Sequence, residues 1–135
     1  MAGKPRHQRW LHRPPGARGC FVTLGPLGLE ALAAARQLEV PTAVLDARVL
    51  APLDVARVTE ACRLEAVVTV EEGTVHGGLG SAVLELAAAA GLAPRLRTLG
   101  LPDAFVRHGD ARAQRVALGM DAAGFARAML QLLGG

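Results

Sequence analysis

The sequence is poor in aromatic residues, and it contains neither Asn nor Tyr. Phe, Trp and Tyr make up only 3% of the chain, so we expect a core built mainly from Leu, Val and Ala. Lys4 is the single Lys, and the two cysteines, Cys20 and Cys62, lack the spacing of a zinc site. We therefore expect buried, reduced thiols and no metal bound by this chain.

Long apolar segments and the features of a secretory leader are also missing. The sequence shows no run of about 18 uncharged apolar residues, which argues against a membrane-spanning helix. Residues 1–19 are basic but lack the apolar stretch of a signal peptide. We interpret 1–19 as a mostly irregular leader before one domain at 20–135, and we expect a cytoplasmic location. Nucleic-acid binding is not expected, because the rest of the chain is close to neutral.

Strand-like and helix-like patterns alternate from residue 20 onwards. The predicted strands are 20–25, 41–47, 66–70 and 94–101. The predicted helices are 26–40, 52–65, 77–91, 111–119 and 121–133, with a loop at 101–110. This alternation predicts right-handed βαβ units and an α/β fold, a three-layer α/β/α sandwich with a mostly parallel sheet. The sheet has four strands, or five if residues 9–13 add an antiparallel edge strand.

The segment VVTVEEGTVHGGLGSAVLELAAAAG, residues 67–91, joins a buried strand to a helix through a glycine-rich turn. Gly78 and Gly80 are placed as in a dinucleotide-binding loop, but Val83 stands where that loop needs a third glycine. Glu71 and Glu72 are neighbours on an extended chain and should point to opposite faces, so an acid/base pair is not expected. One of them is expected to face the helix start or a partner, and the other solvent.

The turn allows an anion site at the helix start, a contact surface, or close packing of strand and helix. Ser81 is expected to cap the helix start rather than act as a nucleophile, because the G-x-S-x-G elbow is missing. The candidate interface or anion-site residues are Glu71, Glu72, His76, Gly77, Gly78, Gly80, Ser81 and His108. No catalytic, cofactor-binding or metal-binding residue is predicted.

Four segments together resemble one known domain. They are VTLGPLGLEALAAARQL, VLDARVLAPLD, VVTVEEGTVHGGLGSAVLELAAAAGL and LGLPDAFVRHGDA. Over residues 20–133 the chain is similar to the C-terminal domain of transketolase-like, thiamine-diphosphate-dependent enzymes. The LPDAFVRHG stretch resembles, more narrowly, the 1-deoxy-D-xylulose-5-phosphate synthases. The chain departs from the family pattern at Ala51, where a Lys is common, and at Gly73, where an Asn or His often follows the two glutamates.

The resemblance implies part of an enzyme that condenses pyruvate with glyceraldehyde 3-phosphate, giving 1-deoxyxylulose 5-phosphate and CO2. In this family two other domains bind thiamine diphosphate and magnesium, so this chain is expected to bind no cofactor and to be inactive alone. The implied role is packing against those domains, in the same chain or in a separate subunit, and assembly of a homodimer. We expect Glu71, Glu72 and His76 to be exposed at the tip of the turn, where they would meet another domain or subunit.

Two alternatives from other classes stay open. One is a stand-alone module that binds an anion or a phosphorylated metabolite at the helix start of residues 77–81. The other is a piece similar to the β subunit of a 2-oxoacid dehydrogenase.

Overall fold

The described part of the chain alternates strands and helices in the predicted order. The computed structural model describes residues 8–47, 53–72, 78–100 and 111–134. The strands are β1 (Arg9–His12), β2 (Gly19–Leu24), β3 (Thr42–Asp46), β4 (Ala66–Glu71) and β5 (Arg95–Gly100). The helices are α1 (Gly28–Gln37), α2 (Val55–Cys62), α3 (Leu79–Ala89), α4 (Ala111–Ala117) and α5 (Ala122–Leu132). The predicted loop at 101–110 and the candidate residues His76, Gly77 and His108 lie outside the described residues.

The five strands form one sheet in the order β1-β3-β2-β4-β5. Strands β2 to β5 are parallel where they pair, and β1 pairs antiparallel with β3 at the edge. This confirms the mostly parallel sheet with an antiparallel edge strand. After β2 the chain continues to β3 on one side of the sheet, and after β4 it continues to β5 on the opposite side. The carboxyl ends of β2 and β4, where Leu24 pairs with Glu71, therefore form a topological switch point.

Two apolar clusters cover the two faces of the sheet. Helices α1 and α5 pack together over one face, and Phe21 of β2 and Phe125 of α5 lie in their cluster with ring centroids 6.3 Å apart. Helices α2 and α3 cover the other face, and their cluster holds both Cys20 and Cys62. Neighbouring residues of β2 enter different clusters because side chains alternate along a strand. The predicted α/β/α sandwich and the buried, free thiols are confirmed.

Local signals set several helix ends. The Asp121 carboxylate accepts a hydrogen bond from the Gly124 N–H at 2.9 Å, which confirms it as the N-cap of α5. The Asp54 carboxylate caps α2 in the same way, through the Arg57 N–H at 3.0 Å. Helix α1 is shorter than predicted because Gly25 takes a positive φ of 90° before it and Leu38 is extended after it. Within the described ranges, no helix has the length and apolar character needed to cross a membrane.

Candidate functional site

Glu71 ends β4 at the switch point and is buried, with 5% of its surface exposed. Its Oε1 accepts a hydrogen bond from the backbone N–H of Leu79 at 2.9 Å. Leu79 is the first residue of α3, and the N-cap residue, Gly78, has no side chain that could satisfy this N–H. The Glu71 carboxylate therefore caps α3 from the neighbouring strand and places a negative charge at the positive end of the helix dipole.

The expectation that Glu71 is exposed at the tip of the turn is wrong. Alternation along β4 directs Thr69 and Glu71 towards α3, while Glu72, one residue later, is partly exposed. The expectation that one of the two glutamates faces the helix start is confirmed. Ser81 is not the cap, because it is the third residue of α3 and the Glu71 carboxylate already binds the helix start.

The two glycines at the start of α3 are explained by close packing. A Cβ atom on Gly78 would collide with the Glu71 carboxylate. A Cβ atom on Gly80 would collide with the Thr98 methyl group on β5 and would lie 3.2 Å from Thr69 Oγ1. Only glycine lets the helix approach the sheet this closely. A sequence signal for this arrangement does exist, namely a Glu at the end of a buried strand followed by a helix whose N-cap position, Gly78, has no side chain.

A diphosphate does not fit the start of α3. The Glu71 carboxylate occupies the helix start and would repel a second anion. The buried Thr69 hydroxyl has no hydrogen-bond partner among the described residues, but Gly80 packs directly over it. Within the described ranges, no group of three or more His, Cys, Asp or Glu side chains is arranged to hold a metal. The occupied helix start therefore argues against an anion-binding module at this turn.

The carboxyl edge of the sheet carries exposed apolar side chains. Leu29 lies in the first turn of α1 and is 77% exposed, and Val55 begins α2 and is 63% exposed. Because α1 and α2 follow β2 and β3, both helices begin at the carboxyl edge. Together with the partly exposed Glu72, these residues define what we name the carboxyl-edge surface. Contiguous exposed apolar patches mark contact surfaces, whereas single exposed apolar side chains are common on any protein surface.

The pKa of the Asp54 carboxyl lies below its ordinary value. Burial acts to raise this pKa, but the hydrogen bond from the Arg57 N–H and the ion pair with the Arg57 guanidinium together outweigh burial. Asp54 is therefore a structural cap that stays ionised under ordinary conditions.

The two thiols are poorly suited to nucleophilic chemistry. Burial raises the pKa of Cys20, and the proximity of Cys62 raises it further. Burial also raises the pKa of Cys62. Since the thiolate is the reactive form, neither residue has the environment of a catalytic cysteine.

Comparison with known proteins identifies the family to which this chain belongs. The sequence matches the family described as "Transketolase, C-terminal domain" over residues 8–124. The chain belongs to the transketolase C-terminal domain family. A solved structure titled "Split gene transketolase, inactive beta4 tetramer" matches with a TM-score of 0.85 and 31% identity. The match covers 99% of this chain and 44% of that one, and it confirms the fold expected from the resemblance.

Among curated proteins, this transketolase C-terminal domain is similar to 1-deoxy-D-xylulose-5-phosphate synthases. It is 58% identical to the synthase of Myxococcus xanthus (strain DK1622) over 130 residues, covering 96% of this chain and 22% of that protein. It is 45% identical to the synthase of Anaeromyxobacter sp. (strain Fw109-5) over 139 residues, covering 98% of this chain and 22% of that protein. The chain thus spans about a fifth of the length of these relatives, and it corresponds to their C-terminal domain.

Proposed function

We propose that this transketolase C-terminal domain is the assembly domain of a 1-deoxy-D-xylulose-5-phosphate synthase, either as the end of a longer chain or as a separate subunit. The observation that carries the proposal is the 58% identity to the Myxococcus xanthus synthase across 96% of this chain. The reaction is the condensation of pyruvate with glyceraldehyde 3-phosphate, with loss of CO2. Thiamine diphosphate and magnesium belong to the other domains of that enzyme, and this chain alone is inactive.

The proposed docking face is the carboxyl-edge surface. Parallel α/β folds use the carboxyl ends of their strands, at the switch point, for functional contacts. Leu29 and Val55 expose apolar surface at this edge. The Glu71–Leu79 hydrogen bond holds the end of β4 against the start of α3, and so fixes both ends of the segment that carries Glu72 and His76. His76, Gly77 and His108 remain proposed contributors to the same face.

The assembled enzyme is proposed to be a homodimer located in the cytoplasm. The location is supported by Cys20 and Cys62, which are both free thiols in a chain without a disulfide between them.

Reassembly of a split enzyme tests the proposal. The Myxococcus xanthus synthase, truncated to remove the region that this chain matches, is mixed with the full 135-residue chain. We expect the two to co-elute in size-exclusion chromatography, and we expect CO2 release from pyruvate with glyceraldehyde 3-phosphate only in the mixture. Failure of a folded truncated synthase to bind the chain, or activity without the chain, would contradict the proposed function.

A matched pair of double variants tests the docking face. Leu29→Ser with Val55→Ser removes the apolar part of the carboxyl-edge surface, and we expect association to weaken by about tenfold or more. Leu84→Ser with Leu130→Ser changes two other exposed apolar residues, on α3 and α5, and should leave association unchanged. Equal losses in the two double variants would show that the docking face lies elsewhere.

A further inference from the structure

An open cleft of about 290 Å³ lies between β5, the turn after α4, and α5. Arg97 and Leu99 of β5 line one side, Leu118 lines the end, and Arg127 and Gln131 of α5 line the other side. Its volume is close to the lower limit of small-molecule pockets, roughly 300 Å³. None of these residues belongs to the carboxyl-edge surface, so the cleft is separate from the proposed docking face.

The cleft carries two positive charges without a counter-charge. Arg97 and Arg127 both line it, and no Asp or Glu is among the described residues that do so. In the described part of the chain, neither arginine pairs with a carboxylate, whereas Arg13, Arg18 and Arg57 each do. Two uncompensated guanidinium groups in one concave site raise the local positive potential and attract an anion.

One arginine of the cleft is held in position by a neutral group. The Arg97 Nη1 atom donates a hydrogen bond to Gln131 Oε1 at 2.6 Å. The amide orients the guanidinium without neutralising its charge, and this bond uses one of its five N–H donors. Arg127 and Gln131 are four residues apart on α5 and therefore share a helix face. The cleft is thus lined by one oriented guanidinium and by a second, exposed guanidinium from the helix face that carries the amide.

We propose that Arg97, Arg127 and Gln131 form a binding site for a small phosphate dianion, either free phosphate or a phosphate monoester. A phosphate accepts paired hydrogen bonds from planar guanidinium groups, and two such groups match its double negative charge. A fixed arginine favours binding because less side-chain freedom is lost when the anion arrives. The inference is independent of the proposed assembly role, because it depends on a different face of the domain.

Titration of the full 135-residue chain tests the site. The 15N-labelled protein is titrated with inorganic phosphate and, separately, with glycerol 3-phosphate, while sodium chloride keeps the ionic strength constant. We expect saturable shifts of the Gly119 and Gly124 amides, which line the same cleft. Tighter binding of glycerol 3-phosphate would identify a phosphorylated metabolite as the ligand, and equal binding would identify free phosphate.

Charge-matched variants separate a built site from general attraction. Arg97→Gln with Arg127→Gln should weaken binding by at least about tenfold, because charge-assisted hydrogen bonds are lost. Arg36→Gln with Arg63→Gln removes the same charge from two exposed arginines elsewhere, and should leave binding unchanged. Equal weakening in both pairs, or shifts that never saturate, would overturn the proposal.

A single substitution provides a second test that does not remove either arginine. Gln131→Glu places a carboxylate in the cleft beside Arg97, and we expect it to abolish phosphate binding while the thermal melting temperature stays the same or rises. Gln131 is exposed, so the fold should tolerate the change. Phosphate binding by the folded Gln131→Glu protein with unchanged affinity would also overturn the proposal.

Discussion

The Glu71 carboxylate and the Leu79 backbone N–H share a hydrogen bond of 2.9 Å, which ties the end of β4 to the first turn of α3. The bond crosses the glycine-rich turn and replaces a conventional side-chain cap, which Gly78 cannot supply. Because Glu71 is buried while Glu72 is partly exposed, two adjacent residues of the same type have different roles. Glu71 holds the end of β4 against the start of α3, and Glu72 remains a proposed partner contact.

Removing the Glu71 carboxylate should destabilise the domain. Glu71→Ala leaves the Leu79 N–H without an acceptor at a buried helix start, and we expect the free energy of unfolding to fall by about 1–2 kcal/mol. Glu72→Ala is the matched control, with an expected change within about 0.5 kcal/mol. Urea denaturation of both variants measures the difference. Similar effects of the two substitutions would show that the hydrogen bond contributes little.

Adding one methyl group at Gly80 should also destabilise the domain. Alanine is the better helix former, so helix propensity alone predicts that Gly80→Ala is stabilising. The collision with the Thr98 methyl group predicts the opposite, a loss of about 1–3 kcal/mol in the free energy of unfolding. Ser81→Ala, at the next position of α3, serves as control and should change stability by no more than about 0.5 kcal/mol. A stabilised Gly80→Ala protein would contradict the close packing of Gly80 against Thr98.

Asp54 should make the stability of the domain sensitive to acid. Its folded-state pKa lies below the unfolded value of about 3.9, so its ionised form contributes stability above that pH and loses it as the pH falls through the folded pKa. Asp54→Asn keeps a capping acceptor but does not titrate. We expect the stability advantage of the wild type over Asp54→Asn, measured from urea midpoints, to begin to shrink below about pH 5 and to go on shrinking as the pH falls below about 3.9. A difference that stays constant over this range would contradict the prediction.

Both thiols should resist modification in the folded protein. Cys20 is fully buried and Cys62 is 2% exposed, and burial raises the pKa of each thiol. With Ellman's reagent at neutral pH, we expect no rapid reaction of the native chain and reaction of both thiols once guanidinium chloride has unfolded it. Rapid reaction of either thiol in the native protein would contradict its burial in the core.

Elements with a strong local pattern could be predicted from the sequence. The strands and helices follow the hydrophobic pattern, and Asp121 caps a helix through a residue only three positions away.

The contacts at the candidate site follow less directly from the sequence. Alternation along a strand predicts that Glu71 and Glu72 face opposite ways, but it does not say which of them turns towards α3. The local sequence predicts Ser81 as the cap, yet Glu71, an acceptor eight residues before Leu79, takes that role.

The sequence by itself determined the fold class, the order of the elements and the family resemblance, because periodicity, turn residues and motifs are local properties of the chain. The tertiary structure decided which residues meet. The order of strands in the sheet creates the switch point beside Glu71, and packing of α5 beside β5 brings Arg97 to Gln131, 34 residues away. Such contacts depend on the packing of complete strands and helices, and no local pattern specifies them.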